Sequence, residues 1–227
     1  MRSSTLDRLI GAGLCVLLAP MITGLAGWVR RADGPPAVIG LARAGRGGRP
    51  FRMWKLRTMH AAGEGEGASV TAGADPRVTR VGRRLRSLRL DELPQVLNVA
   101  RGDMALIGPR PEACDLVDPD EPAWTKVLAV PPGVTGATQL VVHEWEERVI
   151  DGGGDHVARY RGTVLPVKLA IDRWYVRRAS PLVDAVITWS MLERFALHRE
   201  VTAIDRMVRR EVPEAAAVDS VDGEVRR

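Results

Sequence analysis

The sequence predicts an α/β fold, mostly helical, in which an N-terminal apolar helix precedes one compact domain with short strands. Three observations predict it. Leu9 to Val29 carries no charged residue, which is about the ~20 residues a helix needs to enter or cross a bilayer core. Helical patterns recur over Val78–Arg89, Leu90–Val99, Thr163–Arg177 and Pro181–Leu197. Gly- and Pro-rich turns separate them and leave room only for short strands. At 227 residues the chain has enough material for one good core and a small appendage. The expected division is a membrane segment over 1–32, a domain over 33–200 and a tail over 201–227, helical and then disordered.

The apolar segment admits three readings: a secretory signal peptide, a straight membrane span, or a re-entrant pair of half-helices. Arg8 precedes it and Arg30 and Arg31 close it. Cationic flanks favour the cytoplasm, so a segment that dips in and returns satisfies both ends. Pro20 lies near its middle, where the ring opposes a straight helix. Trp28 sits at the boundary, where indoles anchor at headgroup level.

Asp33 to Pro50 reads as an irregular connector. Phe51 to Met59 reads as a strand that would put Lys55 and Arg57 on one face. Ala61 to Ala74 is rich in Gly, Ala and Glu and reads as a mobile loop. Val78–Arg89 is a basic helix and Leu90–Val99 a short second one. Gly102–Pro111 and Pro131–Gly136 are turn-rich. Ser180 followed by Pro181 is a helix start, with serine as N-cap and proline at the first helical position. From Val212 the chain is polar and low in bulky groups, a composition that favours disorder.

The net charge is +5 and the isoelectric point near 9.8. Such a surplus suits an anionic partner: a phosphorylated substrate, acidic lipid or nucleic acid. An arginine-rich proteome would give the same surplus. Aromatic residues make up 4% of the chain, leaving few platforms for base stacking, and no nucleic-acid recognition motif is present. Cys15 and Cys114 have no partner at metal-ligand spacing, so neither a disulfide framework nor a zinc site is expected. His143, His156 and His198 stand alone and read as surface or core histidines.

The stretch most informative about chemistry is Leu90-Asp91-Glu92-Leu93-Pro94-Gln95, followed by Gly108-Pro109-Arg110-Pro111. In isolation Asp91 could be a helix N-cap, with Glu92 complementing the helix dipole. The surroundings argue for more. Arg77, Arg80, Arg83, Arg84, Arg86 and Arg89 lie just upstream and Arg110 downstream. Arginine grips phosphate oxygens bidentately and keeps its charge. Two carboxylates among arginines suit a pyrophosphate with a divalent cation, since magnesium takes one or two carboxylates plus phosphate oxygens. A carboxylate can also attack phosphorus.

These blocks together resemble the bacterial sugar transferase family, the monotopic polyprenyl-phosphate phosphoglycosyl transferases. Asp7 and Pro20 fit its re-entrant membrane helix. Arg43-Ala44-Gly45-Arg46-Gly47-Gly48 with Phe51, and Lys55-Leu56-Arg57-Thr58-Met59, fit its first two soluble blocks. Asp75-Pro76-Arg77-Val78-Thr79 fits Asp-x-Arg-x-Thr. The Asp91–Val99 and Gly108–Pro111 runs fit its core signature, and Pro132-Gly133-Val134-Thr135-Gly136 fits Pro-Gly-x-Thr-Gly. Asp172, Tyr175, Ser180 and Asp184 fit its C-terminal helices. The likeness covers roughly residues 5–195 and is to the small, catalytic-domain-only members.

The resemblance implies transfer of a sugar-1-phosphate from a UDP-sugar to undecaprenyl phosphate, with release of UMP. It implies Asp91 as nucleophile and Glu92, beside Asp91, as magnesium ligand. It implies Arg110 as a phosphate-binding residue, with Lys55, Arg57 and Arg86 as the basic residues before the pair; Asp172 could support an active-site arginine or merely cap helix packing. It favours the re-entrant reading, with the domain on the cytoplasmic face of the cell membrane, in contact with membrane lipid. An exposed apolar surface there could support a homodimer. Four departures stand out: the stretch from His143 to Tyr160 is unfamiliar, a variable region where sugar preference could be set, and the other three are local. Ala19 precedes Pro20 where the family has serine, Arg89 replaces the usual Ser or Thr two places before Asp91, and the Gly34-Pro35-Pro36 connector is shifted by one residue. The competing function is a non-catalytic, membrane-anchored basic adaptor of a polysaccharide-assembly complex. It accounts for the charge and the apolar segment but leaves the Asp-Glu placement unexplained.

Overall fold

The computed structural model describes residues 4–60, 75–151, 155–195, 197 and 201–218. The expected loop over Ala61–Ala74 and His198 lie outside the described residues. The chain opens with α1 (Ser4–Asp33), continues through the hairpin strands β1 (Val38–Ala44) and β2 (Pro50–Leu56), and enters α2 (Arg80–Ser87). A 3-10 turn over Leu90–Gln95 runs into α3 (Val96–Arg101). Next come β3 (Ala105–Ile107), α4 (Pro122–Val127), β4 (Gly133–Thr135), α5 (Ala137–Val141) and α6 (His143–Asp151). The C-terminal half holds α7 (His156–Arg159), a π turn over Tyr160–Val164, α8 (Leu165–Arg178), α9 (Pro181–Phe195) and α10 (Ala203–Glu211). The fold is therefore mostly helical with short strands, as the sequence predicts.

The helix-break-helix expected over 1–32 is replaced by one continuous helix. Pro20 lies inside it, and the Thr23 hydroxyl donates back to the carbonyls of Ala19, at 2.5 Å, and Pro20, at 3.1 Å. Such back-bonding satisfies carbonyls near a proline and tends to bend a helix. Leu9, Val16 and Leu17 are 67%, 79% and 73% exposed, and the helix is long and apolar enough to cross a membrane.

Both ends of α1 touch the domain. Arg8 donates to the Arg101 carbonyl at 3.0 Å. Gly11 lies so near α3 that a Cβ there would come 2.7 Å from the Ala100 amide nitrogen. At the other end Leu25, Ala26 and Val29 pack with Leu56, Val81 and Leu85.

The connector expected to be irregular contains β1, which pairs antiparallel with β2 from Val38↔Leu56 to Ala44↔Pro50. The Gly-Arg-rich tip became the hairpin turn, because Gly47 and Gly48 supply positive φ of 69° and 73° there. β3 and β4 pair in parallel. The main core is helical: Ile171, Trp174 and Tyr175 of α8 pack against Ile187 of α9 and Ile204 and Val208 of α10. Ser180 caps α9 as expected, accepting from the Val183 amide at 3.3 Å.

The disorder expected from Val212 is corrected over its first residues. Residues 213–218 are helical, and Val212, Ala215 and Val218 are 3%, 0% and 4% exposed. Ala215 and Val218, three apart, share one face of that helix, and with Val212 they close the core. Arg209 fixes the segment by donating to the Ala215 carbonyl at 2.9 Å.

Candidate active site

β2 and the 3-10 turn meet through Asn98. This fully buried amide accepts from the Trp54 backbone N–H at 3.0 Å and donates to the Arg52 carbonyl at 2.8 Å. It thereby continues the ladder of a strand edge with a side chain. The register this imposes brings Lys55, the next residue on β2, to the turn. Lys55 Nζ lies 2.7 Å from Asp91 Oδ2 and 3.9 Å from Glu92 Oε1. The turn begins at Arg89, whose φ of 53° is left-handed, a conformation that costs a non-glycine residue about 1–3 kcal/mol and that concentrates at functional sites. Asp91 is 2% exposed.

Arg110 arrives from the opposite side. Gly108 and Gly133 are interlocked by two hydrogen bonds, Gly108 N–H to Thr135 O at 2.9 Å and Gly133 N–H to Pro109 O at 2.7 Å. A Cβ on Gly133 would lie 2.1 Å from the Gly108 nitrogen, so glycine is required for this approach. The clamp presents Arg110, whose guanidinium forks onto Glu92 with Nη2–Oε1 at 2.5 Å and Nη1–Oε2 at 3.4 Å. Burial alone would push the Glu92 carboxyl up. Arg110, Lys55 and Arg89 outweigh burial and hold it down at about 2. Arg110 is held more firmly protonated by Glu92 in turn.

These groups open into a cleft of about 660 Å3. Arg83, Arg86 and Arg89 line one wall with Lys55 and Arg110, while His143, Glu144, Glu146 and Glu147 of α6 line another. Lys55 and Lys168, two of the chain's three lysines, are both in the lining. The cleft thus unites Asp91, Glu92, Lys55, Arg86 and Arg110, all expected from the sequence.

Two expected residues stand elsewhere. Arg57 follows the end of β2 and turns away: it donates to the carbonyls of Asp33 at 2.5 Å, Gly34 at 2.5 Å and Pro35 at 3.0 Å. It caps the C-terminus of α1, where a cation suits the helix dipole. Asp172 lies behind the cleft wall at 4% exposure, accepting a short hydrogen bond from the Thr138 hydroxyl. Burial pushes its carboxyl up to about 7, against the lowering effect of Thr138 and Lys168. The Asp75–Arg77–Thr79 block is also structural. Arg77 pairs with Asp75 at 2.6 Å, and Thr79 caps α2 by accepting from the Gly82 amide at 2.7 Å.

Sequence reasoning missed a second cluster, which reaches the cleft through Glu146 and Lys168. The buried Lys168 ammonium lies 2.8 Å from Glu112 and 3.1 Å from Glu146, and donates to the Tyr160 hydroxyl at 2.6 Å. Tyr160 donates to Glu112 at 2.8 Å. Burial opposes charge on Lys168, but the two carboxylates keep it well above its ordinary value. A lysine in an apolar helical stretch, four residues before Asp172, was the available signal. His143, read as isolated, is in the cleft wall 3.4 Å from Glu147. Burial, then Arg89 and Arg110, lower it to about 4.

Among the described residues no three His, Cys, Asp or Glu side chains converge as a metal cage. Asp91 and Glu92 fit a more modest role. Asp91 is paired with Lys55 and Glu92 with Arg110, and magnesium would need few protein ligands where phosphate oxygens supply the rest.

The family profile described as bacterial sugar transferase matches residues 1–197. The chain belongs to the bacterial sugar transferase family. It is 36% identical over 194 residues to the UDP-glucose:undecaprenyl-phosphate glucose-1-phosphate transferase of Caulobacter vibrioides, covering 84% of this chain and 64% of that protein. It is 34% identical to the UDP-N-acetylgalactosamine-undecaprenyl-phosphate N-acetylgalactosaminephosphotransferase of Aeromonas hydrophila, over 78% of this chain and 39% of that protein. With the exopolysaccharide production protein ExoY of Sinorhizobium fredii the identity is 32%, over 85% of this chain and 84% of the relative. The chain thus spans less than two thirds of the length of the first two relatives.

Proposed function

We propose that this chain is a phosphoglycosyl transferase. It moves a sugar-1-phosphate from a UDP-sugar to undecaprenyl phosphate and releases UMP, the first membrane step of polysaccharide or glycoconjugate assembly. The observation that carries the reading is the convergence of Asp91 on Lys55 and of Glu92 on Arg110 in one arginine-walled cleft. An Asp91 carboxylate oxygen attacks the phosphorus that bears the sugar. The bond from that phosphorus to the bridging oxygen breaks, and its electron pair leaves with UMP. A phosphate oxygen of the lipid then attacks the same phosphorus and displaces the Asp91 carboxylate. Lys55 holds Asp91 in place, and Arg110, Arg86 and Arg89 stabilise charge that grows on the phosphate oxygens. Magnesium held by Asp91 and Glu92 would neutralise the leaving phosphate.

The contacts at both ends of α1 support a monotopic seat against the domain, which this reading puts on the cytoplasmic leaflet. A straight span would carry one end roughly 30 Å from the domain, whereas both Arg8 and Val29 meet it. The test is UMP release by detergent-purified protein with undecaprenyl phosphate, magnesium and UDP-sugars. Lipid-dependent release is expected. Membrane binding without release for any donor would favour the adaptor.

A further inference from the structure

The cleft lining holds Lys55, Arg83, Arg86, Arg89 and Arg110 together with three carboxylates of α6, Glu144, Glu146 and Glu147, of which Glu144 is offset by Arg194 and Glu146 by Lys168. A diphosphate belongs against Lys55, Arg86, Arg89 and Arg110. The α6 carboxylates offer it no donor, but they are good acceptors for hydroxyl protons. The uncharged, hydroxyl-rich part of a nucleotide sugar is what this wall can hold.

The three carboxylates of that wall differ. Glu144 is 64% exposed and paired with Arg194, and Glu147 is 56% exposed and paired with His143. Glu146 is 20% exposed, with Oε1 tied 3.1 Å from the buried Lys168 ammonium. It is the pre-organised acceptor of the three, and pre-organisation is what converts a contact into affinity and selectivity. It also lines the same cleft as Asp91 and Arg110. The sugar is bonded directly to the attacked phosphorus, whereas the nucleoside lies one phosphate further away. Glu146 does not join Asp91 and Glu92 in a metal cage, since no three such side chains converge among the described residues.

We propose, on the basis of the transferase reading, that Glu146 is a specificity-determining residue. Its carboxylate accepts a hydrogen bond from a hydroxyl of the donor's sugar and, by charge, selects neutral sugars over uronic acids. Lys168 is the positioning residue, and it ties Glu146 to Glu112, two residues beyond Arg110.

The experiment measures equilibrium binding by calorimetry. The purified wild type and Glu146→Gln are each titrated with UDP and with UDP-glucose, UDP-galactose, UDP-N-acetylglucosamine, UDP-N-acetylgalactosamine and UDP-glucuronic acid. The wild type should bind at least one neutral donor tenfold or more tightly than UDP-glucuronic acid. Glu146→Gln should weaken that neutral donor about tenfold, as expected for losing a charged acceptor, and leave UDP within about twofold. Equal weakening of UDP and the sugar donor, or no weakening, overturns the assignment. So does wild type that binds UDP-glucuronic acid as well as the neutral donors, a result that needs no variant. If the wild type binds no UDP-sugar at all, the transferase reading itself fails.

Discussion

Lys55 and Asp91 are joined at 2.7 Å across two elements, a strand and a 3-10 turn, that are far apart in the chain. The pair holds the Asp91 carboxylate in one orientation with its charge compensated, at a position nearly closed to water. Asp91→Asn is expected to abolish UMP release, measured with undecaprenyl phosphate and the best UDP-sugar. Near-normal turnover would refute a covalent role. Lys55→Met should lower kcat by about 100-fold, in line with misplacing a reacting group.

Glu92→Gln leaves the Arg110 guanidinium without its charged partner. The expected outcome is a higher magnesium requirement and a fall in kcat. The check is a magnesium titration of UMP release, and an unchanged curve would remove Glu92 from the metal site.

Asp172 gives a pH signature in stability. Its carboxyl is raised from 3.8 to about 7 in the fold, so between these values the native state holds the proton and the unfolded state has lost it. The associated stability is complete below pH 3.8 and is lost as pH rises to about 7. Asp172→Asn should flatten this decline, which amounts to roughly a few kcal/mol. Urea melts of both proteins at intervals from pH 4 to 7.5 provide the measurement; parallel profiles would contradict it.

Arg57→Met should separate stability from chemistry. Its guanidinium serves the carbonyls at the end of α1 and not the cleft. The variant should lose about 1–3 kcal/mol of stability with kcat for the remaining folded protein unchanged. A fall in kcat with no loss of stability would return Arg57 to the site.

Truncation after Val212 should destabilise the protein, because it removes Ala215 and Val218 from the core. A thermal melt shows the effect, and an unaltered midpoint would mean that the segment is dispensable.

What the sequence disclosed follows from the range of the interactions involved. Asp91, Glu92 and Arg110 are legible because their blocks carry turn chemistry and charge within a few residues. Lys55 is legible as a residue type, but its aim depends on Asn98, an amide whose partners are 44 and 46 residues away. Arg57 was misplaced because a shared strand face presumes that the strand continues past Leu56, and it does not. Glu112, Glu146 and the Tyr160–Lys168 pair come from three separate stretches that only the fold unites. The tail after Val212 looked too small to pack, yet small residues suffice to close a core whose larger members are already in place.

The interlock of Gly108 and Gly133 bears on how genetic variation in this protein should be interpreted. Neither residue has a side chain to offer a substrate, and both lie outside the cleft lining. A Cβ on Gly108 would lie 2.8 Å from the Gly133 nitrogen and one on Gly133 2.1 Å from the Gly108 nitrogen, so replacement is expected to force the two backbones apart and disturb the approach of Arg110 to Glu92. In a mutational scan these positions would score with the chemically active ones, and a map drawn from loss of activity alone would enlarge the catalytic surface by a pair of hinges that never meet a phosphate.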